Sequence, residues 1–142
     1  MIIHRAYFAY GSNMDVDQMA DRCPSAEIVG ACRLDGHRFL INSRGVATLV
    51  PDASSYALGI LWDLPPEDEQ TLDDYEGVPT YYQKHLVTVE TDRKAIQALI
   101  YQATDKTPGR SRRGYMEGIV AAARQHGFDE AYVAGLSLWM PE

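Results

Sequence analysis

With 142 residues, 46% of them hydrophobic, the chain can bury a core of ordinary size and is expected to form one domain over residues 1–142. Its formal net charge of −7 speaks against nucleic acid and anionic membrane as partners, because both recruit clustered Lys and Arg. No apolar run approaches the ~20 residues of a membrane span, and the opening MIIHRAYFAYGS has no basic region leading into a long apolar stretch, so no signal peptide and a cytoplasmic location are expected.

In chain order, residues 2–10 read as a strand, central in its sheet because apolar residues fall on both faces. Gly11, Ser12 and Asn13 then break it with turn residues. MDVDQMADRCP follows as a short helix, with Asp15 placed to cap it, Gln18 three residues on and Pro24 to stop it. EIVGACRLDGHRFLINS reads as a strand, a turn at Asp35 and Gly36, and a second strand. GVATLVP is another short strand, and YALGILWDL alternates with Leu58, Ile60 and Trp62 on one face. PPEDEQTLDDYEG starts a helix with Pro66 in its first turn and acids near its positive end, and Gly77 and Pro79 terminate it.

KHLVTVET and AIQALIYQA form a strand pair across a tight turn at Asp92 and Arg93. After the loop TDKTPGRSRR, GYMEGIVAAARQHG is a helix whose buried face carries Ile119, Ala122 and Ala123 beneath Tyr115 and Met116, with Gly127 as its cap. A second short helix is expected over residues 129–136. Many short strands with a few outer helices predict an α+β fold, a small closed or half-closed sheet.

Two stretches carry candidate chemistry. The turn at residues 11–13 is either an ordinary turn or an anion-binding nest of successive N–H groups at the start of a helix, with Ser12 and Asn13 adding side-chain donors and acceptors. The second stretch is LDDYEGVPTYYQK. Its acids are either a solvated helix end or, for Glu76, a proton carrier sheltered by Tyr75, Val78, Tyr81 and Tyr82. A carboxylate in an aromatic pocket has its pKa raised, which suits general acid–base work. The basic run RSRR, residues 110–113, is a solvated loop or a patch that steers an anionic substrate. Cys23 and Cys32 are read as reduced and structural. His4, His37, His85 and His126 are scattered without ligand spacing, so no metal site is expected. Trp62, Trp139 and the tail LSLWM belong to the core or to an interface, with core the expected place.

YFAYGSNM, GVATLVPD, GILWDL and LDDYEGVPTYYQK, in this order and spacing, resemble the γ-glutamylcyclotransferase-like family, which includes γ-glutamylamine cyclotransferases and AIG2-like proteins. The resemblance runs from Tyr7 to about Leu136. It implies a small mixed β-barrel with flanking helices and a cavity at one end. It also implies an amide-cleaving, cyclising acyl transfer on a small γ-glutamyl substrate, in which the substrate's α-amine attacks its own γ-carbonyl and releases 5-oxoproline and an amine. On this resemblance Glu76 is catalytic, base and then acid, and Tyr10, Gly11, Ser12, Asn13 and Tyr115 bind substrate. Neither cofactor nor metal takes part. The amine side would be lined by the loops carrying Arg44, Arg110, Arg112 and Arg113, and the assembly would be a monomer or homodimer. Two alternatives stay open: a non-catalytic module that binds a small metabolite on the same fold, and a hydrolase or transferase on the same scaffold that yields glutamate.

Overall fold

A computed structural model of the chain describes residues 2–141. Five strands close into a barrel, β1 (Arg5–Ala9), β2 (Glu27–Ile41), β3 (Ala47–Leu64), β4 (Tyr82–Glu90) and β5 (Ala95–Ala103), in the order β1-β3-β2-β4-β5. β1 runs antiparallel to β3, with Tyr7 opposite Trp62, and parallel to β5, with Tyr7 opposite Leu99, so the barrel is mixed and β1 is an interior strand as its two-sided apolar pattern predicts. A contact of Arg33 with Glu90 joins β2 to β4 and completes the ring. Four helices lie outside: α1 (Val16–Arg22), α2 (Pro66–Glu76), α3 (Tyr115–Gln125) and α4 (Glu130–Ser137). The α+β barrel with flanking helices is the expected architecture.

Several local expectations change. β1 begins at Arg5 rather than at residue 2, because the amides of Ile3 and His4 donate to the Asp63 carboxylate at 2.9 Å each instead of joining a ladder. The two strands and turn expected over residues 27–43 are one 15-residue strand, and the two segments expected between residues 45 and 64 are one 18-residue strand. Asp35 and Gly36 do not reverse the chain. They sit at a bulge where β3 residues 52–55 oppose Gly36, with Asp35 paired to Tyr56 and His37 to Pro51. Asp52 organises the bulge by accepting from the Ser54 amide and from the Ser54 and Ser55 hydroxyls, which draw its carboxyl down to about 2. Pro51 falls at the break in the ladder, where its missing N–H costs least.

The helices follow their end signals. The Asp15 carboxylate accepts from the Gln18 amide at the start of α1, and the Asp129 carboxylate accepts from Tyr132 at the start of α4. α2 opens on Pro66 and three acids and closes on Gly77, whose φ of 69° is left-handed and whose N–H returns to the last turn. α3 buries Met116, Ile119, Val120, Ala122 and Ala123 against the barrel. Trp62 is in the core, Trp139 packs against it half-buried, and Leu138 is exposed. Cys23 and Cys32 are free and buried, and burial pushes each thiol up to about 12. No described helix is long and apolar enough to cross a membrane.

Gly59 matters to the site because it lets β1 and β3 close behind the Phe8 ring. A Cβ there would lie 2.4 Å from the Ala9 carbonyl oxygen and 2.7 Å from two Phe8 ring atoms. Gly59→Ala is therefore expected to destabilise the fold by about 1–3 kcal/mol through overpacking, read as a drop of several degrees in melting temperature; an unchanged melt would mean that the strands can part without cost.

Candidate active site

β1 stops at Ala9, and the chain turns through Tyr10 and Gly11 into a single 3-10 turn, Ser12–Met14. The turn is closed by Met14 N–H to the Gly11 carbonyl at 3.0 Å and Asp15 N–H to the Ser12 carbonyl at 3.2 Å. The amides of Ser12 and Asn13 precede the first bond of this turn and have no acceptor among the described residues. The expectation of a nest on a helix N-terminus is corrected in one respect: α1 starts four residues later and is capped by Asp15, so the donors belong to the 3-10 turn alone.

Across the barrel end, α2 delivers Glu76 as its last residue. Leu72 is fully buried beneath the helix, Lys84 bonds Glu69 and Asp73 at 2.6 and 3.0 Å, and Tyr101 donates to Asp73 at 2.7 Å. Gly77 then turns the chain where a side chain would strike the Tyr81 ring at 2.7 Å. The bend and the helix end face one cavity of about 410 Å³. Glu76 and all five expected substrate-binding residues, Tyr10, Gly11, Ser12, Asn13 and Tyr115, line it.

Burial pushes the Glu76 carboxyl up from 4.5 to about 7, against the pull of the Arg22 guanidinium. The shelter differs from the one expected of its sequence neighbours. Tyr75 and Tyr81 line the cavity but are about half exposed, whereas four buried tyrosines complete its wall: Tyr82, as expected, with Tyr7 and Tyr101 from the strands and Tyr10 from the bend. Burial raises the hydroxyl pKa of each of these four well above its ordinary value, and that of Tyr115 to about 12, so all remain neutral donors.

The loops that carry the basic residues meet at the mouth. Arg112 N–H donates to the Gly45 carbonyl at 3.1 Å, and its Nε donates to the Arg44 carbonyl at 2.9 Å. Arg44 lies over the Tyr81 ring, 3.9 Å from its centroid. Arg44 and Arg112 line the cavity; Arg110 and Arg113 are exposed and do not. Among the described residues no group of three His, Cys, Asp or Glu side chains is arranged to hold a metal ion.

Three residues of the site escape the sequence reading. Tyr7 and Tyr101 fall inside strand patterns and Arg22 inside the short helix before Pro24, where nothing local marks them. Arg22 instead folds back to donate to the Asn13 Oδ1 at 2.6 Å, to the Ser12 Oγ at 3.4 Å and to the Tyr75 hydroxyl.

A model of the AIG2-like family matches residues 57–136, more than half of the chain, and the chain belongs to that family. It is 28% identical over 138 residues to a γ-glutamylcyclotransferase of Bos taurus, a match spanning 89% of this chain and 73% of that one. With the γ-glutamylcyclotransferase of Homo sapiens it shares 25% over the same spans. A solved structure named γ-glutamyl cyclotransferase superposes with a TM-score of 0.89 at 26% identity, covering 97% of this chain and 89% of that one.

Proposed function

We propose that the protein is a γ-glutamylcyclotransferase that acts on a γ-glutamyl amine or a γ-glutamyl amino acid and releases 5-oxoproline and the free amine. The observation that carries this reading is the convergence of Glu76, its carboxyl near 7, and the amide-rich bend on one cavity. The names of the relatives support the same chemistry.

The nucleophile is tethered to its own electrophile, so the protein's first task is to hold the glutamyl chain bent, which raises effective molarity. Ionised Glu76 takes a proton from the substrate's α-ammonium. The amine nitrogen then bonds to the γ-carbon as the carbonyl electron pair moves onto oxygen. That pair returns, the bond to the departing nitrogen breaks, and protonated Glu76 gives its proton to that nitrogen; the surplus proton of the new ring nitrogen then passes through Glu76 to the released amine, which leaves as an ammonium. The amides of Ser12 and Asn13 serve the negative groups of this sequence. Tyr115, whose hydroxyl accepts the Ala47 amide at 3.0 Å, stands at the mouth beside Gly11.

The test is 5-oxoproline release from a panel of γ-glutamyl amines and γ-glutamyl amino acids, read as a function of pH. Because Glu76 must be ionised to accept a proton, kcat/KM is expected to rise with pH through about 7 and then level. Binding of panel members without product, or release of glutamate in place of 5-oxoproline, would sink the reading. A rise centred near 4.5 would assign the base to a solvated carboxylate elsewhere.

A further inference from the structure

We infer that Tyr7 is a further catalytic residue of this site, a fixed hydroxyl donor to the oxygen of the carbonyl under attack. The inference rests on the γ-glutamylcyclotransferase reading and goes beyond it in assigning the oxyanion a side-chain donor.

The argument is an account of where the tyrosine protons go. A phenolic hydroxyl has one proton to donate and can also accept. Tyr10 gives its proton to the Tyr101 carbonyl at 2.5 Å, Tyr82 to the Ala47 carbonyl at 2.7 Å, and Tyr101 to Asp73 at 2.7 Å. Tyr7 is different. Its oxygen accepts from the Asn13 side-chain amide at 2.9 Å, and no acceptor for its own proton exists among the described residues. The direction of that bond is set from outside the cavity. Arg22, which can only donate, occupies the Asn13 Oδ1, so the Nδ2 is the atom left to face Tyr7.

The hydroxyl is therefore filled on its accepting side and open on its donating side, and it is on the cavity wall. Tyr7 is only 4% exposed. Its backbone is paired on both sides in the middle of the barrel, and its ring packs edge-on against Tyr101 at 5.7 Å. A buried O–H without an acceptor is unfavourable in the resting protein, and a negative oxygen arriving during reaction removes that cost. Such a donor needs no reorganisation at the moment charge develops. Burial and the nearby Glu76 both hold the phenol in its protonated form, so the step is a hydrogen bond and not a proton transfer. Tyr7 ends the cycle unchanged.

The test is Tyr7→Phe, which keeps the ring and removes the hydroxyl. The expected result is a fall in kcat of about 10²–10³-fold, the usual range for loss of one oxyanion donor, with KM changed by less than about threefold because the contact forms chiefly in the transition state. Arg22→Met gives a second reading that leaves Tyr7 in place and decides the matter if Tyr7→Phe folds poorly. At pH 9, where Glu76 is ionised in both proteins, it should lower kcat about tenfold or more by freeing Asn13 to turn, and it should add nothing to Tyr7→Phe in the double variant. An unchanged kcat in Tyr7→Phe, an unchanged kcat in Arg22→Met at pH 9, a rise in KM alone, or fully additive losses would overturn the assignment while leaving the cyclotransferase reading intact. A wild-type protein that releases no 5-oxoproline would overturn both.

Discussion

Glu76→Gln is expected to lower turnover by about 10²–10⁴-fold, the range for loss of a positioned proton carrier, and at the same time to make the protein more stable above neutral pH. Both effects follow from one fact, a carboxyl moved from 4.5 to about 7 by burial. Gln keeps the shape and can neither take the α-ammonium proton nor return one to the departing nitrogen. For stability the sign is set by which state holds the proton more tightly. Here it is the folded state, so the wild type loses stability as pH rises from about 4.5 to about 7 and is level outside that window. Gln carries no such penalty. The two proteins should unfold alike at pH 4, and the variant should be more stable at pH 8 by on the order of 2–3 kcal/mol, with allowance for a carboxyl that keeps some solvent. Denaturant melts at both pH values check this against 5-oxoproline assays. A variant that is inactive yet no more stable at pH 8 would mean that Glu76 is not sheltered in solution.

The two halves of the site were legible because each is a local signal. Gly11, Ser12 and Asn13 end a strand by their own conformational preferences, and Glu76 is the last residue before a glycine that stops a helix. What was not legible depends on partners far away in sequence. Asp35 and Gly36 have the composition of a two-residue turn, but β3 pairs with β2 on both sides of them, and Asp52 satisfies the surplus residues of the bulge. Ladder continuity outweighed turn propensity. Likewise nothing local distinguishes Arg22 from any cation closing a short helix. Its meaning comes from Asn13 on one side and Tyr75, 53 positions onward, on the other. Of the residues expected to shelter Glu76, Tyr75, Tyr81 and Tyr82 do line the cavity; Tyr7 and Tyr101, which close its wall, are strand residues whose inward direction only barrel closure fixes.

Asn13 is where those distant partners converge, and its replacement is the second large effect expected. The side chain is 4% exposed. Its Oδ1 accepts from Arg22, its Nδ2 donates to Tyr7, and its backbone carbonyl accepts from the Trp62 indole at 3.1 Å. Asn13→Ala removes the first two bonds and leaves the buried Tyr7 hydroxyl and the partly buried Arg22 guanidinium short of a partner, which should cost about 1–3 kcal/mol of stability. It should also lower kcat about 10²–10³-fold as the bend loses its fixed donors. Asn13→Asp separates these effects. The carboxylate keeps the pairing with Arg22, so stability should be largely retained, but it offers Tyr7 no N–H and adds a negative charge beside the cavity. Activity should stay low, and its ascending limb should move above 7, because a like charge further disfavours ionised Glu76. Equal activity in Asn13→Asp and wild type, or a limb that does not move, would mean that Asn13 serves the fold alone and that the bend keeps its aim without it.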